Sequence, residues 1–312
     1  MILGFDIGGT KCAVISANEE DGKITIKSKE QIPTDLSVSP EAMIGKLISI
    51  ADKTAKTEKI TSIGISCGGP LDSKRGIIMS PPNLKGWDNV HIADILKEHY
   101  GVPCYLQNDA NACAVAEWKF GAGKGTKNMV FLTFGTGLGA GLILDGRLYS
   151  GTNDNAGEVG HIRIEDDGPV GYGKCGSFEG FCSGGGIAQL GKFFAEKAKE
   201  KGITPLYANG EINAKTISDA AKKGDKTAID VYKTCGEKLG KGLSVIIDIL
   251  NPEKIVIGSI FARSGDLLWK YAKEVIEREA LSVSAKVCEV VPAALGEQIG
   301  DYASIGVALS EE

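Results

Sequence analysis

A chain of 312 residues with 43% hydrophobic content can bury a substantial core and is long enough for two domains. Its formal net charge of −5, with lysines scattered instead of gathered into a stripe, speaks against nucleic acid as a partner. No apolar run approaches the roughly 20 residues of a membrane span, and the start Met1 to Phe5 lacks the flank and length of a signal peptide, so a cytoplasmic protein with no membrane partner is expected.

The pattern begins as strand, glycine turn, strand: Ile2 to Ile7, then Gly8-Gly9-Thr10, then Lys11 onward. Lys23 to Ile32 alternates as a third strand, and Pro40 to Lys53 has helical spacing with proline in the first turn. Ile60 to Ser66 reads as a buried strand, followed by a turn-rich stretch to Trp87. A short helix from Ile92 to Tyr100 and a strand from Val102 to Gln107 come next, then a helix that starts at Asn108 or Asp109 and runs to Trp118. The plan restarts near Thr126, with strands Asn128 to Phe134 and Ala140 to Leu144 around a second glycine turn. The remainder is largely helical from Gly185 to Ile249. A strand Lys254 to Gly258, a helix to Glu279, a strand Lys286 to Val291 and a final helix Ile299 to Leu309 complete it. Two weakly similar halves, each with a strand, Gly-Thr turn and strand, imply a duplicated α/β fold.

The 42 glycines gather at 8–9, 68–69, 135–141 and 184–186, at the ends of strand-like runs, where they mark close ligand approach or tight turns. A glycine turn beside Asp6 and Lys11 suits a polyphosphate and its magnesium ion, although Gly-Gly also serves an ordinary hairpin. Gly135-Thr136-Gly137 with Ala140 mimics a dinucleotide fingerprint, but a strand follows where that fingerprint needs a helix. Gly123-Lys124 lacks the rest of a Walker loop. The eight cysteines are spread singly through apolar segments and read as reduced core residues.

Asn108-Asp109 closes a buried strand and opens a helix, so either residue serves as cap, and a carboxylate there is also placed to take a proton from a substrate hydroxyl. Glu158 and His161 lie three apart among glycines, an arrangement open to polar ligand recognition or to plain surface.

The ordered series Asp6-Ile-Gly-Gly-Thr-Lys11, Gly68-Gly-Pro70, Pro82-Asn-Leu84 with Trp87, Asn108-Asp-Ala-Asn111, Gly135-Thr-Gly-Leu-Gly139, Glu158-Val-Gly-His161 and Asn251-Pro252 resembles the ROK family of sugar kinases and sugar-responsive repressors, over essentially the whole chain. The resemblance implies an actin-like, hexokinase-type ATPase fold with two α/β domains closing on a hexose and ATP. The smaller, 1–118 plus 299–312, would carry the first phosphate loop and the catalytic base. The larger, 119–298, would carry the second phosphate loop and the sugar loop. It further implies Asp109 as the base for the sugar 6-hydroxyl, Asp6 as the Mg²⁺ residue acting through water, and Gly8, Gly9, Thr10, Lys11, Gly135, Thr136 and Gly137 on the ATP phosphates. Gly258 would lie near the adenosine, and Gly69, Asn83, Asn108, Asp109, Glu158, His161 and Glu179 would contact the sugar. A homodimer is expected on the same ground.

Members of that family commonly hold zinc with the histidine of the Glu-x-Gly-His motif and three cysteines. Here Val170, Tyr172 and Ser177 stand where those cysteines belong. Cys175 and Cys182 are off register, so no zinc site is expected, and packing around Tyr172 and Phe178 is expected to orient His161. A second departure is Gly258-Ser259-Ile260, where a glycine triplet is usual. The activity implied is an ATP-dependent hexokinase, glucose being the leading substrate. An N-acetylhexosamine or other hexose kinase, a polyphosphate-using variant and a non-catalytic sugar-responsive regulator remain alternatives. With only five residues before Asp6, a DNA-binding repressor is not expected.

Overall fold

The computed structural model describes residues 1–310 except Asp21 and Thr57, so Glu311 and Glu312 of the expected segment 299–312 lie outside the described residues. Strands β1 (Ile2–Ile7), β2 (Lys11–Glu20) and β3 (Lys23–Pro33) are followed by helix α1 (Pro40–Ala55) and β4 (Ser62–Cys67). A small hairpin, β5 (Leu71–Asp72) and β6 (Ile77–Ile78), precedes α2 (Ile92–Tyr100), β7 (Cys104–Asn108) and α3 (Asp109–Phe120). Then come β8 (Met129–Leu132), β9 (Ala140–Leu144), β10 (Arg147–Leu148), β11 (Val170–Gly171), β12 (Lys174–Cys175), α4 (Phe178–Phe181), α5 (Gly184–Glu200), α6 (Ala214–Lys222) and α7 (Lys226–Leu250). The chain ends with β13 (Lys254–Ile257), α8 (Ile260–Glu279), α9 (Ser282–Ala285), β14 (Glu289–Pro292) and α10 (Ile299–Ala308).

By their internal contacts the residues fall into two units, Met1–Gly125 with Gly141–Ala156 and Ala294–Glu312, and Thr126–Ala140 with Gly157–Ala293. This division differs from a boundary at 118, which falls inside α3. Gly141–Ala156 joins the first unit because Gly141 packs on Ala110, Asn111 and Ala114 of α3, so closely that a Cβ there would collide.

The first unit is built on a sheet in the order β3-β2-β1-β4-β7. β1 pairs antiparallel with β2, and parallel with β4, which in turn runs parallel to β7. That parallel core brings Asp6 opposite Ser66 and Cys67 opposite Asn108, so the carboxyl ends of β1, β4 and β7 open together, the end at which such sheets bind ligands. One face packs on α1, whose Met43, Ile44, Leu47, Ile50 and Ala51 recur at helical spacing and are buried. Ser39 caps that helix by accepting the Ala42 N–H at 3.2 Å, and Pro40 stands in its first turn. α10 lies against β1 and β4, where only glycine fits: a Cβ on Gly4 would strike Ser304, and one on Gly64 would strike Ser304 and Ala308.

In the second unit β13 pairs parallel with β8 and with β14. α7 packs on α8 through Gly236 and Gly240, which approach the Leu268 and Ala272 carbonyls. The expected strand Lys286–Val291 starts later, at Glu289, because the Lys286 and Val287 N–H groups bond back to Ser282 and Ser284 of α9. Similarly β7 begins at Cys104, Pro103 having no N–H to give the ladder. No helix of the described residues is long and apolar enough to cross a membrane.

Glu117, fully buried on α3, ties three segments of the first unit. Its carboxylate accepts the N–H groups of Ala122 at 2.8 Å, Leu295 at 2.9 Å and Ala294 at 3.2 Å. Glu117→Ala removes the carboxylate that these three N–H groups share and is expected to destabilise the protein by about 3 kcal/mol, with Glu117→Gln losing less. Urea unfolding midpoints measure this, and an alanine variant of wild-type stability would refute the role.

Candidate functional site

The first unit gathers Asp6, the Gly8–Lys11 turn, Gly69, Asn83, Asn108 and Asp109. Asp6 is the penultimate residue of β1, and Asn108 and Asp109 stand at the junction of β7 and α3. The structure settles the cap: Asn108 Oδ1 accepts the Ala110 N–H at 2.9 Å, and Asp109 is the first helical residue, its Oδ1 accepting the same N–H at 2.7 Å. Asn108 Nδ2 also approaches Gly69, where a Cβ would sit 3.2 Å from it. Asn83 lies on the glycine turn. Its backbone and Cβ occupy the space that a side chain at Gly9 would need, and a Cβ at Gly8 would stand 2.8 Å from the Lys11 carbonyl. The two glycines are thus required by close approach of backbone.

Asp109 is reachable by water while protein encloses it at longer range. Burial pushes its carboxyl above the ordinary range, opposed by the N–H groups of Ala110 and of Asp109 itself. Burial likewise raises Asp6, to about 6 from an ordinary 3.8, with the charges of Asp109 and Asp301 adding to the rise and those of Lys29 and Lys11 opposing it. Lys29 Nζ holds Asp301 at 2.6 Å, so α10 and β3 both act on the carboxylate site. Neither Lys29 nor Asp301 belongs to a motif, and only the fold brings them to Asp6. Two carboxylates, one of which raises the other by its charge, fit a divalent cation, which would relieve that repulsion. A cavity of about 390 Å³, lined by Met1, Asn18, Glu19, Glu58 and Lys59 among others, lies at the amino-terminal end of β1 and contains none of these residues.

The second unit gathers the other turn, the Glu158–His161 segment, Glu179 and Gly258. The turn is closed by Thr133 N–H to the Gly139 carbonyl at 3.0 Å, Gly139 N–H to Thr133 Oγ1 at 2.9 Å and Gly135 N–H to the Gly137 carbonyl at 2.9 Å. Gly184, opening α5, donates its N–H to Gly135 O at 2.8 Å. Glu179 supports the turn from beneath, one oxygen accepting the Leu138 N–H at 2.9 Å. That oxygen excludes any side chain at Gly137, where a Cβ would lie 2.7 Å from it. Gly160 nests on the Leu138 carbonyl, which couples the Glu158–His161 segment to the turn. Gly258 donates to Leu132 O at 2.9 Å, and Ser259 takes φ 49°. That left-handed backbone explains why glycine is the usual residue there.

His161 ends a short 3₁₀ turn and is exposed. The Tyr172 ring meets it edge-on at 6.4 Å, whereas Phe178 turns its ring into α7 against Gly242 and helps only through its N–H, which bonds Ile162 O at 2.8 Å. The loop from 162 to 177 is held by polar ties that no motif announced. Glu165 accepts Lys238 Nζ at 2.6 Å and Lys241 Nζ at 2.5 Å, Gln189 bonds both backbone groups of Val170 at 2.9 Å, and Lys174 Nζ donates to His161 O at 2.6 Å. Cys175 Sγ faces Gly168 O at 3.1 Å, while Cys182 is buried facing Cys235 O at 3.6 Å. Among the described residues no group of three or more His, Cys, Asp or Glu side chains is disposed to hold a metal ion.

A profile described as "ROK family" matches residues 2–308. The chain is 32% identical over 307 residues to a glucokinase of Streptomyces coelicolor, covering 96% of this chain and 95% of that protein. It is 30% identical over 286 residues to a xylose repressor of Caldicellulosiruptor bescii, covering 89% and 70%. Among solved structures, a ROK family glucokinase from Streptomyces griseus in complex with glucose and AMPPNP superimposes with a TM-score of 0.75 at 29% identity, covering 98% of this chain and 97% of that one.

The raised Asp6 carboxyl has a measurable consequence in metal-free buffer. Its folded pKa, about 6, lies above the ordinary 3.8, so the stability it lends is full below the unfolded value and is lost as pH rises through 6. Asp6→Asn is therefore expected to match wild type near pH 4 and to exceed it by roughly 3 kcal/mol at neutral pH. Urea unfolding from pH 4 to 7.5 reads this, and a difference that does not change with pH would contradict it.

Proposed function

The chain belongs to the ROK family, has its actin-like ATPase fold and is a sugar kinase; on that premise we propose that it transfers the γ-phosphoryl group of ATP to the 6-hydroxyl of a hexose, with glucose the first substrate to test. The observation that carries the proposal is the convergence of Asp6 and Asp109 beside the Gly8–Lys11 turn, at the carboxyl ends of β1 and β7. Phosphoryl transfer needs positioned phosphates, a neutralised charge and a base for the acceptor hydroxyl.

In this reading Asp109 accepts the proton of the 6-hydroxyl. Its elevated proton affinity suits that task better than an ordinary surface carboxylate would, and the start of α3 keeps its ionised form accessible. Asp6 would hold Mg²⁺ through water; the ion, when bound, neutralises charge on the β- and γ-phosphates. Gly8, Gly9, Thr10 and Lys11 present backbone donors and an ammonium to one side of the nucleotide phosphates. Gly135, Thr136 and Gly137 do so from the other turn, with Gly258 beside the adenosine. Gly69, Asn83, Asn108, Glu158, His161 and Glu179 complete the reading as sugar contacts. Because Glu179 already accepts the Leu138 N–H with one oxygen, its second oxygen is the one available to a hydroxyl.

Likeness to a glucokinase and to the glucose complex favours glucose. N-acetylhexosamines and other hexoses differ at positions that a few buried polar groups would decide. A non-catalytic, sugar-responsive regulator is the second reading, prompted by the likeness to a xylose repressor. The joint presence of Asp6, Lys11 and Asp109 favours catalysis, since binding alone requires no base. Cytoplasmic residence, homodimeric assembly and ATP instead of polyphosphate as donor belong to the same proposal.

A coupled ADP-release assay over glucose, fructose, allose, mannose, N-acetylglucosamine and N-acetylmannosamine tests the proposal. Wild type is expected to turn over at least one hexose, and Asp109→Asn to lose at least 1,000-fold in kcat, an order-of-magnitude expectation for removing a base, while binding sugar within a few-fold of wild type. A substantial residual rate in the variant would remove Asp109 from its role. No turnover by wild type with any of these sugars would favour the regulator.

A further inference from the structure

Thr34 follows the last residue of β3 and belongs to none of the motifs, yet it grips the first glycine turn at two points. Its N–H donates to the Thr10 carbonyl at 3.0 Å, and its hydroxyl donates to the Gly8 carbonyl at 2.5 Å. The Cys12 thiol, fully buried, lies 3.3 Å from Thr34 Oγ1 and 3.7 Å from the same Gly8 carbonyl. Burial keeps that thiol protonated, so it adds a weak third donor to the same corner. Thr34 is itself fixed from the far side. The next residue, Asp35, accepts the Ser37 N–H at 3.1 Å and hydroxyl at 2.5 Å, and Lys46 Nζ of α1 at 3.0 Å.

Peptide planarity turns this grip into an orientation. In a trans peptide the carbonyl of one residue and the N–H of the next point in opposite directions. Holding the Gly8 and Thr10 carbonyls toward Thr34 therefore directs the Gly9 and Lys11 N–H groups away from it. Successive N–H groups turned to one side of a glycine turn make an anion-binding concavity. The Gly8 N–H is excluded from it, since it closes the turn on the Lys11 carbonyl at 3.1 Å.

We propose that Thr34 is a positioning residue for the transfer: by holding the Gly8 and Thr10 carbonyls it aims the Gly9 and Lys11 N–H groups at the phosphates of the bound nucleotide. This rests on reading Gly8–Lys11 as a phosphate loop. Thr34 touches no substrate itself, and its effect on catalysis passes through those two peptide groups.

Thr34→Val keeps the shape and the N–H but deletes the hydroxyl, and Thr34→Ser keeps the hydroxyl. Steady-state kinetics with ATP, Mg²⁺ and the preferred hexose, together with calorimetric binding of AMPPNP and of the hexose alone, separate the possible roles. Thr34→Val is expected to lose about tenfold in kcat/KM for ATP and in AMPPNP affinity, an effect of the size expected for one lost hydrogen bond. Its KM and affinity for the hexose should stay within about twofold, and Thr34→Ser should restore nucleotide use to within about threefold of wild type. Nucleotide affinity unchanged in Thr34→Val overturns the proposal. So does a valine variant that loses hexose and nucleotide binding equally, or a serine variant as poor as valine. If wild type turns over no hexose, the kinase reading falls, and the AMPPNP comparison between wild type and Thr34→Val still decides the role of Thr34.

Discussion

The constraint on which the first unit depends is the placing of two carboxylates, Asp6 and Asp109, within reach of each other's charge. Asp6 and Asp109 come from different strand ends of one parallel core, and their register, with Asp6 opposite Ser66 and Cys67 opposite Asn108, leaves them on the same edge. Burial pushes both carboxyls upward, the charge of Asp109 adds to the rise at Asp6, and Lys29 and Lys11 temper it there. Such a pair is costly to maintain, because separating the charges or exposing them would relieve it. Its retention makes sense where a cation and a polyphosphate restore the balance and where one carboxylate must be ready to take a proton.

The rest of the unit explains how that arrangement is kept rigid. Gly4 and Gly64 let α10 lie directly on β1 and β4, bringing Asp301 and its partner Lys29 toward Asp6. Glu117 binds the end of α3 to the segment that enters α10, so the helix that begins with Asp109 and the helix that carries Asp301 share one anchor. In the second unit Glu179 has the equivalent duty, holding the Leu138 N–H while Gly160 fits the Leu138 carbonyl. The loop after His161 is fastened by Glu165 with Lys238 and Lys241 and by Gln189 with Val170, ties of charge and backbone hydrogen bonding in a segment where related chains commonly use zinc.

Most of the strand and helix order was legible in the sequence, because the apolar periods are long and glycines punctuate them. The glycine turns, the Asn108-Asp109 junction and the Glu158–His161 segment were legible for the same reason: their backbone demands restrict residue choice. What escaped was of another kind. The start of β14 depended on Lys286 and Val287 bonding back into α9, a competition between two hydrogen-bond partners that periodicity does not show. Glu117 reads in the sequence as one more helical glutamate, and Lys29, Thr34 and Asp301 as unremarked polar residues. Their roles arise from chain segments far apart in sequence. Ser259 departs from the usual glycine but keeps the left-handed backbone at φ 49°, so the local conformation survives a substitution that the sequence alone made questionable.

The most direct measurement of the central claim is ³¹P NMR of the purified protein with Mg²⁺, ATP and glucose, followed in parallel by proton spectra of the sugar. The account predicts stoichiometric conversion of the ATP γ-phosphorus into a glucose 6-phosphate ester with release of ADP. Hydrolysis of ATP to free phosphate at the same rate with and without sugar, or phosphorylation at a position other than the 6-hydroxyl, would contradict it.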